Sequence, residues 1–275
     1  MSYRKKHIKN KIHKITRKKP TCKNPIFWIS VLLIILVFAS LYFLLFFSGC
    51  QVENIIIFGN EKIKTTDIKN LVSKNIAKKI ISIGILNIES KSIFLTNPPE
   101  LQKMILNTFP IIESVTVEKK FPQSINLKIS ERKPVAVFCQ PDQNGKCFFI
   151  DKNGVIFEEL QNIPQNIAII KQLLNNNEVF TGENIIGKNI MDLISKIEAV
   201  LRDNFQINIT EALVADPIRL DVKTSENWQI YFNLNSNTDL QIIKLNSLLK
   251  DEISKTSRAS LQYIDLRFGD RAYYK

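Results

Sequence analysis

The chain has 275 residues, 45% of them hydrophobic, which is enough for one or two domains with proper cores. Its formal net charge of +12 would suit a nucleic-acid binder, but ten of the 38 Lys and Arg residues precede Glu53, and no acid does. The other 28 bases face 26 acids, so the body of the chain is nearly neutral at +2; this excludes a basic stripe on the folded part and leaves a basic tail, residues 1–25.

The tail abuts an uncharged run from Ile26 to Phe47. As a helix it would be about 33 Å long, enough to span a bilayer core. Trp28 and Tyr42 lie toward its two edges, where amphipathic rings collect. A core helix of a soluble protein would show a polar face, and none exists here. Residues 26–48 therefore read as one transmembrane helix, with the basic tail cytoplasmic. A cleaved signal peptide has a shorter apolar region of about 7–15 residues. Phe47-Ser48-Gly49-Cys50 also resembles a lipoprotein cleavage box, in which Cys50 would carry lipid. The long basic lead and the long apolar run favour retention, leaving Cys50 as an interfacial thiol.

Val52 to Gly59 is rich in β-branched residues and predicts a strand closed by Gly59-Asn60. Thr65 or Thr66 then caps a helix through Asp67, Ile68, Leu71 and Val72. Ile80 to Asn97 has no clear period and is broken by Gly84. Asn97-Pro98-Pro99 starts a second helix carrying Leu101, Met104, Ile105 and Phe109. Two alternating strands follow, around Val115–Val117 and Ile125–Ile129, joined by Lys119 to Gln123. The order β-α-α-β-β over 51–131 predicts a compact α+β domain.

From Pro134 the pattern is strand after strand: Val135–Phe138, Cys147–Ile150, Gly154–Phe157 and Ile167–Ile170. A helix is expected over Ile190–Asp203, then strands at Gln206–Val214, Ile218–Val222 and Trp228–Leu234. Thr238-Asp239 caps a helix to Leu249, and Leu261–Phe268 is the last strand. Residues 132–275 thus predict a mostly antiparallel β-domain with packed helices, with the boundary at Arg132-Lys133-Pro134. Cys139 and Cys147 flank the turn-rich Gln140 to Gly145. They read either as a disulfide or as two buried thiols, whereas Cys22 lies in the cytoplasmic tail and stays reduced.

Chemistry is sparse. Both histidines, His7 and His13, are in the tail, so the folded part lacks the commonest general acid/base and metal ligand. No nucleophile elbow, phosphate loop or dinucleotide fingerprint occurs. Asp142 to Gly145 and Asp151 to Gly154 have calcium-loop flavour without the ligand series, and read as turns. Glu158-Glu159 is too common a pair to mark a glycosidase. No catalytic, cofactor or metal residue is assigned.

Several marks in order carry a family resemblance: Ile57-Phe58-Gly59-Asn60, Phe109-Pro110 before Val115-Thr116-Val117, and Phe121-Pro122-Gln123-Ser124-Ile125. Glu131-Arg132-Lys133-Pro134-Val135-Ala136, Ile150-Asp151, Gly154-Val155-Ile156-Phe157 and Tyr263-Ile264-Asp265-Leu266-Arg267-Phe268 follow. Beside a single membrane helix, the set resembles the FtsQ/DivIB bacterial cell-division proteins, whose first extracytoplasmic domain is an FtsQ-type POTRA domain.

The resemblance implies a non-enzymatic divisome scaffold in the bacterial plasma (inner) membrane at the septum, with its C-terminal domains outside. It implies partners of the FtsB/DivIC and FtsL type; the charge distribution adds membrane lipid at the basic tail and argues against nucleic acid. It places the docking edge at the end of the sheet: Arg267, Phe268, Arg271, Ala272, Tyr273 and Tyr274. There an edge strand takes a partner strand, and Arg267 pairs with a partner acid. The plainer alternative is a frayed terminus. The chain ends soon after the last strand, so this edge is expected to be shorter than in relatives that extend further. A POTRA-bearing envelope assembly or transport factor is the alternative function, and a wall-binding module or envelope enzyme a third.

Overall fold

The computed structural model describes residues 25–83, 86–140, 145–173 and 178–275. The basic tail with Cys22 and both histidines, Gly84, and the Asp142–Asn144 turn lie outside them. The described chain forms two compact units. One runs up to Glu53 and includes Ile76–Thr96 and Phe121–Gln123; the other comprises Asn54–Asn75, Asn97–Lys120 and Ser124–Lys275.

In the first unit, helix α1 covers Pro25–Phe46, with no charge and no buried residue. It is the one described helix long and apolar enough to cross a membrane. It begins and ends within two residues of the expected span. Strands β2 (Lys78–Ile83) and β3 (Leu86–Ser90) form an antiparallel hairpin. This hairpin occupies the stretch where periodicity gave no answer.

The second unit opens with β1 (Asn54–Phe58) and α2 (Thr65–Ile76), then α3 (Pro98–Thr108), β4 (Ile112–Lys120) and β5 (Ser124–Glu131). Their sheet has the order β1-β5-β4, with β1 parallel and β4 antiparallel to β5. The expected alternation holds: Ile125, Leu127 and Ile129 are buried, while Asn126 is half-buried and Lys128 and Ser130 are exposed on the other face. Gly59 ends β1 at φ +83°, where a Cβ would collide with the Ile129 carbonyl.

The rest of the unit is a nine-stranded sheet, made of β6 (Ala136–Cys139), β7 (Cys147–Ile150), β8 (Ile156–Leu160), β9 (Ile169–Gln172), β10 (Ile209–Asp216), β11 (Arg219–Thr224), β12 (Gln229–Asn233), β13 (Tyr263–Asp265) and β14 (Tyr273–Tyr274). Its order is β14-β13-β12-β11-β10-β9-β6-β7-β8. Five junctions are antiparallel; β6 with β9, β9 with β10 and β12 with β13 are parallel. Helix α4 (Lys188–Phe205) buries Met191, Ile194, Ile197 and Leu201 in the core formed with Ile170, Ala212, Val222 and Ile230. Helix α5 (Thr238–Ser247) meets α4 and continues as a wider turn through Leu248–Glu252.

Two expectations need correction. The cap of α5 is Asn237, not Thr238-Asp239: its side chain accepts the Leu240 N–H at 3.1 Å. The last long strand, expected over Leu261–Phe268, is only Tyr263–Asp265. The chain turns after Asp265 because the Asp265 carboxylate accepts the Arg267 N–H at 3.1 Å, an Asx-type turn. The tail beyond it returns antiparallel as β14.

The short segment between the sheets is pinned in both directions. The Glu131 carboxylate accepts N–H groups from Glu61, Lys62 and Ile63 at 2.9–3.1 Å. Burial pushes its pKa up, but the Lys62, Ile63 and Glu61 donors outweigh that and hold it below the usual carboxylate range. Next along, the Arg132 guanidinium donates to the Pro110 carbonyl at 2.9 Å and to the buried Asp151 carboxylate. Asp151 also accepts the Asn153 and Val155 N–H groups, both at 2.9 Å, so Asp151 to Gly154 is a side-chain-closed turn. Gly154 sits at φ +80°, and a Cβ there would strike the Ile186 carbonyl.

Candidate functional site

One face of the nine-stranded sheet packs on the helix-side core; the other carries a small apolar cluster of Val137, Cys139 and Cys147 at the β6–β7 end and is polar across β11 and β12. Period-2 alternation on β12 buries Ile230 and Phe232 and turns Gln229, Tyr231 and Asn233 to the open face. The register carries Asp221, Tyr231, Asp265 and Tyr273 across four neighbouring strands.

Two guanidinium forks flank this row. Arg219 holds Asp221 through two bonds of 2.7 and 2.8 Å. Arg267 holds Asp265 through two bonds of 2.9 and 2.6 Å. Both guanidiniums lie over the Tyr231 ring, at 5.1 and 5.3 Å from its centroid. The hydrogen bonds that each Arg donates to its Asp raise the pKa of that Arg further. Burial pushes Asp265 up, yet the Arg267 side-chain and backbone donors hold it below the ordinary range. Tyr263 packs beside Tyr231 at 5.8 Å, and the Tyr231 hydroxyl donates to Gln229 at 2.8 Å. The arrangement is an aromatic platform between two hydrogen-bonded Arg–Asp pairs.

The platform leads to the sheet's last strand. β14 has β13 as its one neighbour in the sheet order. The strand is tied in: Lys275 N–H donates to the Tyr263 carbonyl at 3.2 Å, and Gln262 N–H to the Lys275 carbonyl at 2.6 Å. The connecting loop is held from α5, where the Lys244 ammonium donates to the carbonyls of Phe268 at 2.7 Å and Gly269 at 3.1 Å. A groove of about 320 Å³ opens between Ile243, Lys244, Leu248, Asp270 and Ala272.

The six residues expected at this edge are gathered here. Phe268 and Tyr273 touch edge to face at 5.0 Å and are both exposed, as is Tyr274. Ala272 packs against the core, and Arg271 is exposed beside Asp270. Arg267 is placed differently from the expectation, because Asp265 of its own chain already engages its guanidinium. Sequence reasoning passed over Arg219, Asp221, Tyr231, Tyr263 and Lys244. A signal existed for the forks: Arg219-Leu220-Asp221 and Asp265-Leu266-Arg267 are mirrored triplets whose central Leu is fully buried. At the other end of the sheet, Cys139 and Cys147 are directly paired across β6 and β7, with Cα atoms 4.2 Å apart, and are joined as a disulfide. Among the described residues, no group of three His, Cys, Asp or Glu side chains is placed to hold a metal ion.

The description "POTRA domain, FtsQ-type" matches residues 50–132, and "Cell division protein FtsQ/DivIB, C-terminal" matches residues 141–267. Similar proteins include a cell division protein DivIB of Clostridium botulinum, 27% identical over 77% of this chain and 81% of its own length. A cell division protein FtsQ of Rickettsia prowazekii is 24% identical over 82% and 72%. A second FtsQ, from Rickettsia bellii, is 28% identical over 56% and 48%. Two family models matched in order along one chain, and relatives bearing the same two names across most of it, place the protein by similarity: it belongs to the FtsQ/DivIB family of cell-division proteins.

Proposed function

We propose that this chain is a non-enzymatic, single-span scaffold of the division machinery. It divides into a basic cytoplasmic tail (1–25), a membrane helix (26–48), a POTRA domain (51–131) and a β-domain (132–275), the last two outside the plasma membrane at the septum. The charge asymmetry supports this orientation: ten bases and no acid precede Glu53. Its partners are small single-span division proteins of the FtsB/DivIC and FtsL type.

The observation that carries the docking reading is β14. It is a short edge strand with main-chain groups available on its outer side and exposed Phe268, Tyr273 and Tyr274 around it. An extended partner segment adds there by main-chain hydrogen bonds, and the aromatic side chains fill alternate positions. Arg267 works as part of the platform that orients Tyr231, and the exposed Arg271 is the cation that faces partner acids.

Deleting Arg271 to Lys275 removes β14 and leaves β13 as the edge. Affinity for the partner's extracytoplasmic segment then falls about 100-fold, ~3 kcal/mol, as measured by calorimetry with the full chain in detergent. Unchanged affinity removes the site. Depletion yielding cells of normal length with envelope defects, rather than filaments, removes the division role.

A further inference from the structure

The end of α1 is unusual in how it is finished. The last carbonyls of a helix have no intrahelical partner. Here Ser90 Oγ donates to the Leu45 carbonyl at 2.5 Å, Ser92 Oγ to Leu44 at 2.8 Å, and Gln51 Nε2 to Leu45 at 2.8 Å. The backbone adds Val52 N–H to Lys91 O and Ile93 N–H to Cys50 O, both at 2.9 Å. The loop between β4 and β5 joins the same knot: Gln123 Nε2 donates to Ser48 O at 3.1 Å, and Glu53 N–H to Gln123 O at 3.0 Å. The segment that follows β3 and the tip of that loop are therefore held within a few residues of where α1 stops.

Two phenylalanines ride on these ties. Phe94 follows Ile93, and Phe121 lies two residues before Gln123. Their rings meet at a tilt of 39° with centroids 5.5 Å apart, yet Phe94 is 48% and Phe121 62% exposed. Phe47, the first residue past α1, is exposed too. Burying rings of this size is strongly favourable, and a soluble domain seldom leaves such a pair in water beside the end of an apolar helix, where the Phe47 ring stacks on Phe43. Lys79 and Lys91 of the same unit are exposed and long enough to reach headgroup phosphates over apolar surface.

We propose that Phe47, Phe94 and Phe121 lie in the interfacial layer of the outer leaflet beside α1. On this view the unit rests on the bilayer as well as being anchored in it. The occupant of the patch is lipid because the patch is continuous with the membrane helix and hydrogen-bonded to its last turn. The inference rests on the reading that α1 spans the membrane.

The test introduces Phe121→Trp and, separately, Phe94→Trp in the full chain. Each variant is reconstituted in phosphatidylethanolamine–phosphatidylglycerol vesicles whose acyl chains are brominated near the headgroup. The chain's own two tryptophans serve as controls: Trp228 is fully buried in the core, and Trp28 lies in α1. The expected result is that the added emission of both variants is blue-shifted and largely lost to bromine quenching. Unquenched, water-like emission at 94 and 121 with Trp28 quenched overturns the inference and leaves the span intact. Unquenched Trp28 overturns the span and the inference together.

Discussion

The two ends of the nine-stranded sheet are finished in opposite ways. At one end β8 has its outer backbone covered: Ile156 N–H donates to Glu183 O at 3.1 Å and Gly182 N–H to Ile156 O at 2.7 Å. That end is also stapled by the Cys139–Cys147 disulfide and braced by the Glu131-Arg132 segment. At the other end β14 is two residues long and exposed, it pairs with β13 on one side, and the loop leading into it is held by Lys244. Natural sheets usually blunt both edges. The contrast is between a covered, cross-linked end and a short edge lined with exposed aromatics, and the second is the end at which we propose that a partner strand pairs.

Arg132 is where that contrast should break most sharply. Its partner Asp151 has a side chain only 3% exposed, and breaking a buried pair costs about 3–5 kcal/mol. Two backbone donors to Asp151 remain in Arg132→Met, so the lower part of that range is expected, measured by chemical denaturation of the full chain in detergent. Partner affinity, governed by the far end, should not change. A loss of both would mean that the two ends are coupled.

Lys244→Met probes the open end. It removes the donor to the Phe268 and Gly269 carbonyls without touching β14 itself. Partner binding should weaken about tenfold, ~1.4 kcal/mol, through a loosened strand, and melting should barely move.

Glu131→Gln returns to the closed end with a smaller expected cost of about 1–2 kcal/mol at neutral pH. The sign of its pH dependence follows from its lowered pKa. The carboxylate stabilises the fold above the unfolded value of about 4.3, and that contribution is lost as pH falls through the lower folded value. Denaturation curves of parent and Gln variant should therefore converge in acid. A constant gap down to the lowest pH at which the fold persists would show that the side chain acts by shape rather than by charge.

What could be read in advance follows the range of the interaction. The alternation Ile125, Leu127, Ile129 and the spacing Leu101, Ile105 are local patterns, and both elements lie where those residues place them. The hairpin β2–β3 was illegible because its apolar residues, interrupted by Ser82, Gly84 and Asn87, keep neither a period of two nor one of 3.6. The four parallel junctions were illegible because each joins strands far apart in the chain. β14 is too short for any pattern, and only its pairing with Ile264 and Asp265 makes it a strand. At the candidate site, the aromatic and arginine types pointed to the tail. The register that sets Tyr231 between Arg219 and Arg267 could not be seen until β11, β12 and β13 were side by side.

Lys62 supplies the finest distinction within the closed end. Its ammonium pairs with Glu158 at 2.8 Å and lies 5.5 Å from the Phe149 ring centroid, so it bridges the same two sheets as Arg132. Both side chains of the ion pair are well exposed, and such pairs contribute about 0.2–1 kcal/mol, screened by salt. Lys62→Ala should therefore cost less than about 1 kcal/mol, and the cost should shrink further in molar salt, while the cost of Arg132→Met should persist. If salt abolished both costs alike, the brace would be a surface charge ring. If only the Lys62 cost faded, the single buried fork at Arg132 would be what fixes this end of the sheet.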